Sequence, residues 1–329
     1  MSTDCMEGTT VNTPILFLLY NRPGNTKRVF EVLREVKPNR LYIACDGPKS
    51  DRVGDYNRVA DVREIVSCVD WNCEVKTLFR ESNLGCKVAV EQAITWFFEH
   101  ENYGIILEDD CLPNKSFFFF CEELLQKYQH DNRVFAITGD NFQKGRQFGN
   151  TSYYFSRYVH VWGWATWRRA WKHYDPDLSF WPTFKNSSQW ETQFSEKIEK
   201  TYWEMIFNRV HANEINTWDY YWVGSVWKQG GLTATPNQNL VSNIGFGKDS
   251  THTVYSNSPL ANMPTYELGN VIHSAEVVRN IEADQNAFDF VFNGRSTRWP
   301  VVPLFLFFRL IRKFFRWLKR YLHFTKLRS

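Results

Sequence analysis

Residues 105–112 read IILEDDCL, an apolar run that ends in three consecutive carboxylates, Glu108, Asp109 and Asp110, and then turns apolar again. Adjacent unit charges repel by about 1 kcal/mol or more per pair even in a watery setting, so something cationic must offset them. Hard oxygen ligands at the end of a strand suit Mg2+ or Mn2+, ions that keep several waters and bind jointly with substrate phosphates. On a diphosphate such an ion acts as a Lewis acid and neutralises the leaving group. Three acids in a row are a weak signal by themselves, because solvated acidic turns are common. Their context sharpens it: Leu107 on one side and Cys111-Leu112-Pro113 on the other place them at a packed edge.

Elements that could aim these acids alternate along the first 140 residues. PILFLLY (14–20) is a short apolar run closed by the turn cluster NRPGNT, and TKRVFEVLREV then carries apolar residues at helical spacing. Leu41 to Cys45 is a second apolar run, closed by Asp46-Gly47-Pro48. A helical pattern (Val59, Val62, Ile65, Val66) leads to a strand at Glu74 to Phe79, a turn at Asn83-Leu84-Gly85 and a helix from Lys87 to His100. Gly104 to Leu107 then runs into the acids; Phe117 to Gln129 reads as a helix, and Val134 to Thr138 as a strand ending in Gly139-Asp140-Asn141. Continuous apolar strands alternating with amphipathic helices predict an α/β fold with a Rossmann-like, mostly parallel sheet covered on both faces. Ligands bind beyond the carboxyl ends of such strands. Asn21-Arg22, Asp46 and Glu108-Asp109-Asp110 each follow an apolar run, so all three should face one crevice.

With 329 residues, 43% hydrophobic and 23% charged, the chain is long enough and apolar enough for one large α/β domain or two ordinary ones. Aromatic content reaches 17%, which suits either a stacking groove or an aromatic core. The net charge of +3 is uneven. Residues 290–329 hold ten Lys/Arg and no Asp/Glu, leaving 29 basic against 36 acidic residues, or −7, for the body. From Arg309 the basic residues 309, 312, 313, 316, 319 and 320 share one helical face, with Phe, Trp and Leu on the remainder. That pattern reads as an interfacial helix for an anionic membrane surface; its uncharged stretches are half of what a span needs. No base-reading module accompanies the charge, so nucleic acid is not an expected partner. Seven scattered cysteines without a CxxC pair, and a polar start (MSTDCMEGTTVNTP) without an apolar h-region, predict a cytoplasmic protein with reduced thiols. The organisation read from these shifts is an N-terminal tail (1–13), a nucleotide-sugar-binding half (14–140), an acceptor-binding half of the same domain (141–289) and the basic tail (290–329).

The ordered motifs resemble the GT-A fold of nucleotide-sugar glycosyltransferases, whose DxD-type acids sit at this point in the chain. The resemblance covers residues 14 to about 255 and is close to the N-acetylglucosaminyltransferase I family. Asn21-Arg22 and Asp46 resemble that family's first nucleotide-contacting loop and its base-contacting acid. VWGWATW, with Gly163-Trp164, resembles its acceptor loop; Trp218-Asp219 with Trp222 resembles its W-D-D-W segment; Ile244-Gly245-Phe246-Gly247 with Ser250-Thr251-His252 resembles its late segment. EDDCLP and WGWATWRRAW also resemble bacterial haemolysin-like sugar transferases. The resemblance implies Asp110, with His252, as metal ligands for Mn2+ or Mg2+. It implies Arg22, Asp46, Glu108 and Asp109 as contacts to a nucleotide diphosphate sugar; apart from the resemblance, Lys87 in NLGCK is a cation that could contact the phosphates. Gly163 and Trp164 would meet a saccharide or lipid-linked acceptor, and Asp219 would be the general base of an inverting transfer. Where the family has a second acid after Asp219 this chain has Tyr220, so Asp140 and Asp249 stay open as alternative bases.

Three functions compete. One is a metal-dependent inverting glycosyltransferase at the inner face of the cell membrane, building a surface polysaccharide or glycolipid. Another is a sugar nucleotidyltransferase, which places a Gly-rich, Lys/Arg-bearing loop after its first strand; NRPGNTKR departs from that pattern. A non-enzymatic, membrane-binding or lytic protein would use the basic tail alone and leave the acidic crevice without a purpose.

Overall fold

The computed structural model describes residues 10–247 and 258–297. The first half alternates strand and helix: β1 (Ile15–Leu19), α1 (Pro23–Val36), β2 (Arg40–Cys45), α2 (Asp55–Ser67), β3 (Glu74–Phe79), α3 (Gly85–His100), β4 (Tyr103–Glu108), β5 (Cys111–Pro113), α4 (Lys115–Lys127) and β6 (Val134–Thr138). Strands β7 (Tyr153–Ser156) and β8 (Trp164–Trp167) follow. Next come five helices, three of them short: α5 (Arg168–Trp171), α6 (Trp181–Phe184), α7 (Ser188–Thr192), α8 (Lys197–His211) and α9 (Asp219–Lys228). The described part closes with β9 (Leu232–Pro236), β10 (Val241–Asn243), α10 (Ile281–Val291) and a turn of 3-10 helix at Gly294–Thr297.

An 8-stranded sheet in the order β3-β2-β1-β4-β8-β6-β9-β7 organises these elements. β8 runs antiparallel to both β4 and β6, and β7 antiparallel to β9; the other pairings are parallel. Strands from both halves of the chain are thus interleaved in one sheet. Side-chain alternation decides which helices lie where. Ile15, Phe17 and Leu19 of β1 pack with α1, α2 and α4 on one face, whereas Leu16 and Leu18 pack with α3, α8 and α9 on the other. Five consecutive buried residues in β1 follow from that double coverage.

Tryptophan concentrates on the second face. Trp164, Trp181, Trp190, Trp203, Trp222 and Trp227 are all buried there, so most of the aromatic excess is core and not a stacking groove. The basic run from Arg309 and the segment 300–308 lie outside the described residues. Among the described residues no helix is long and apolar enough to cross a membrane. The six described cysteines are free thiols.

Candidate functional site

The loop after β1 is fixed by a residue distant in sequence. Asp55, fully buried at the start of α2, accepts from Tyr20 Oη (2.6 Å), Asn21 Nδ2 (2.5 Å) and the Lys49 amide (2.8 Å). Burial opposes its ionisation, but these donors and Arg58 outweigh it and hold the carboxyl at about 2. Asp55 therefore anchors Asn21, and with it the next residue, Arg22. Pro23 opens α1 directly after Arg22; its missing N–H costs nothing at that position.

Arg22 is the cation that the acidic cluster requires. Its Nε lies 3.4 Å from Asp109 Oδ1, and its Nη1 is bonded to Asp110 Oδ2. One guanidinium serves two carboxylates, and Glu108 lies beside them. Burial, then the Asp110 charge, pushes the Glu108 carboxyl well above the usual carboxylate range; burial pushes Asp109 up as well, against the pull of Arg22. Backbone locks the cluster from the far side. β10 pairs antiparallel with β5, placing Asn243 opposite Cys111, and the Ile244 amide donates to the Asp110 carbonyl (2.8 Å). Gly245 then crosses so close that a Cβ would stand 2.0 Å from Asp110 Oδ2.

Three cavities share Arg22 as a common wall. A shallow cleft over β1 and β2 is lined by Tyr20, Asp46, Lys49, Glu108 and Asp109. A pocket of about 330 Å3 at the start of α1 is lined by Asn25, Arg52, Arg58 and the 244–247 segment. A third, of about 470 Å3, brings Glu108 and Asp110 together with Asp219, Trp162, Arg209 and Asn243. Asp219 is half-buried at the first position of α9, where the helix's positive end favours a negative charge. Thr217 Oγ1 and the Tyr220 amide (2.9 Å) both donate to its Oδ1. Cys86 also faces this cavity. Burial, then the Glu108 and Asp219 charges, pushes its thiol up to about 12, so it is no nucleophile at neutral pH.

Other expected site residues stand elsewhere. Both Asp46 oxygens are engaged, accepting from the Gly47, Leu84 and Gly85 amides and from Asn83 Nδ2 (2.8–3.1 Å). Asp46 therefore ties the end of β2 to the start of α3 as well as lining the cleft. Lys87 turns away: its Nζ donates to the Pro176 carbonyl (2.8 Å) and sits 3.8 Å over the Tyr221 ring. Gly163 is buried at φ 73°, where a Cβ would meet Val241 at 2.8 Å, and its carbonyl accepts from the Gly139 amide. Trp164 is 0% exposed and stacks on Trp218 at 5.8 Å, so it supports the cavity wall from behind. Trp162, two residues earlier in the same motif, faces the cavity instead, because Trp164 already belongs to β8 and points into the core.

Of the alternative bases, Asp140 is buried, held well above the carboxylate range by burial, and accepts from the Trp162 amide (3.3 Å). It positions the Trp162 loop and does not line the cavity. Asp249 and His252 lie outside the described residues. Among the described residues, no group of three or more His, Cys, Asp or Glu is arranged to hold a metal ion.

Behind Trp162, His160 packs edge-on to Phe142 (4.6 Å) and against Tyr158 (6.0 Å), and burial lowers its pKa to about 3. An unfolded-state value near 6.5 makes the sign clear: this contribution is complete above about pH 6.5 and is lost as pH falls toward 3, at about 1.4 kcal/mol per unit. His160→Phe should lose less stability than the unaltered protein between pH 7 and 4.5. Urea midpoints at the two pH values measure the difference; parallel losses would place the acid sensitivity elsewhere.

No protein-family model and no curated protein matches the chain. Solved structures similar to it include HddC from Yersinia pseudotuberculosis, with a TM-score of 0.32 and 10% identity over 51% of this chain and 83% of that one. A cytidylyltransferase from Leptospira borgpetersenii serovar Hardjo-bovis matches with a TM-score of 0.31 and 12% identity, over 61% of this chain and 71% of that one. The 4-diphosphocytidyl-2C-methyl-D-erythritol synthase of Anaerococcus prevotii matches with a TM-score of 0.29 and 8% identity, over 60% of this chain and 84% of that one.

Proposed function

We propose that the chain is a nucleotide-sugar transferase of GT-A type that moves a sugar, with inversion, from a nucleotide diphosphate sugar to an acceptor hydroxyl. One observation carries the reading. Arg22 joins the acidic end of β4 to three cavities at the carboxyl edge of the sheet, and the largest of the three also holds a separate carboxylate, Asp219. The cleft beside Asp46 suits a nucleoside, and Arg22 suits the diphosphate as a planar, permanently charged donor. In the larger cavity the acceptor oxygen attacks the anomeric carbon while the bond to the diphosphate oxygen breaks through an oxocarbenium-like state, and Asp219 takes the hydroxyl proton.

The oxygen donors that face this cavity, Glu108, Asp110 and Asn243, have the hard chemistry of Mg2+ or Mn2+ but form no closed cage. A divalent ion would share Asp110 with Arg22, complete its shell from the ligand's phosphates and water, and neutralise leaving-group charge.

The experiment is a thermal-shift screen of nucleotide diphosphate sugars with and without Mn2+, since a ligand raises stability by mass action. At least one should raise the melting temperature, and Asp110→Asn should remove the increase. Release of pyrophosphate from a nucleoside triphosphate and a sugar phosphate would instead make the chain a nucleotidyltransferase.

A further inference from the structure

A fourth cavity, of about 520 Å3, shares no described lining residue with the three around Arg22. It opens beyond the carboxyl ends of β6 and β9, at Asn141 and Asn237 to Asn239, on the same edge of the sheet as Asp110. β8 alone separates β6 from β4, so at about 4.8 Å per strand the two sites lie on the order of 10 Å apart. The chain gives a consistent second measure. Asn239 borders this cavity and Asn243 the Asp110 cavity, and four extended residues span about 13 Å.

Its wall is built from locked amides. Asn237 bonds the Phe148 amide and the carbonyls of Phe148 and Thr151; Asn239 accepts from the Asn141 amide and donates to the Val241 and Pro264 carbonyls. Between them, Gln238 has its Oε1 buried with no hydrogen-bond partner. Leaving an acceptor buried and unmade costs about 1–3 kcal/mol, a cost that the side chain escapes by turning its amide into the cavity toward a ligand's donor. Opposite stand Tyr266, 53% exposed, Met263 and Phe290, with Lys144 3.9 Å above the Phe290 ring; among the described residues no carboxylate lines the cavity. Apolar faces for C–H surfaces, beside the Gln238 amide and the Lys144 ammonium for hydroxyls, describe a saccharide site.

We propose that this cavity binds the saccharide portion of the acceptor beyond the reacting sugar, whose hydroxyl faces Asp219 in the neighbouring cavity. The inference rests on the transferase reading but is tested apart from it. Saturation-transfer NMR on the full chain, with chitotriose, cellotriose, maltotriose and digalacturonate as probes, should show saturable binding of at least one. Binding should persist in Asp110→Asn and weaken about tenfold or more in Gln238→Leu and in Tyr266→Ala; the second side chain is exposed enough that its loss spares the fold. Absence of binding by every probe, unchanged affinity in a folded Tyr266→Ala protein, or loss of binding in Asp110→Asn alone would overturn the proposal. A nucleotide-induced thermal shift without saccharide binding would sink this inference and leave the transferase reading standing. Saccharide binding with no nucleotide effect would leave a saccharide site but overturn the transferase reading, and with it the acceptor role proposed for this cavity.

Discussion

Asp219→Asn should lower the rate of sugar transfer by about 10²–10⁴-fold while leaving the nucleotide-induced thermal shift unchanged. The expectation follows from geometry: Asp219 shares its cavity with Glu108 and Asp110 but belongs to a different element, α9, so it approaches the reacting centre from a wall of its own. Thr217 and the Tyr220 amide grip one oxygen and fix the plane of the carboxylate. Asn preserves that acceptor and the shape, and removes the ability to take a proton together with the negative charge. Rate and binding therefore separate: an acid that mainly held the donor would lose the thermal shift as well. Transfer within tenfold of the unaltered enzyme would move the base elsewhere, and Asp140 is a poor successor because it is buried beneath the Trp162 amide.

What could be read from sequence tracks how local each determinant is. β3 and β6 have the bounds their residue patterns predict, Glu74–Phe79 and Val134–Thr138, because β-type runs between turn signals are settled within a few residues. Helix starts shift: α1 begins at Pro23 and not near Thr26, since proline suits the first turn and the apolar period does not mark it. The insertion of β8 between β4 and β6 was not legible. WATW is four residues long, buried throughout, and carries no period that tells strand from aromatic loop. The same blindness exchanged Trp162 for Trp164 at the cavity wall.

Charge placement divides in the same way. Three adjacent acids after an apolar run announce a need for a cation, but the run does not say which one. Arg22 stands 88 positions from Asp110, and only the parallel pairing of β1 with β4, Leu18 opposite Glu108, brings the two loops together. Asp55 is less legible still. Nothing in GDYN marks it as the anchor of a loop 34 residues earlier, because the partners Tyr20 and Asn21 lie across a strand and a helix.

Gly245→Ala and Gly24→Ala should behave oppositely, although both glycines line the pocket at the start of α1. At Gly24 a Cβ meets nothing within 4 Å, and alanine suits a helical position, so stability should hold or rise slightly. At Gly245 the Cβ would stand 2.0 Å from Asp110 Oδ2 and 2.7 Å from Arg22 Nη1. The backbone has little room to retreat: the Gly245 amide donates to Asn243 Oδ1, the Ile244 amide to the Asp110 carbonyl, and β10 is paired with β5. The ion pair must yield, leaving Asp109 and Asp110 without their shared cation. Removing a partner from a buried pair costs about 3–5 kcal/mol, and the partial exposure of Arg22 brings the expectation down to about 1–3 kcal/mol. A fall in melting temperature measures that part. The larger effect falls on the ligand, because Arg22 is the residue common to all three cavities: the nucleotide-induced thermal shift should vanish in Gly245→Ala and persist in Gly24→Ala. Equal shifts in both variants would mean that the Arg22–Asp110 contact serves the fold and not the ligand.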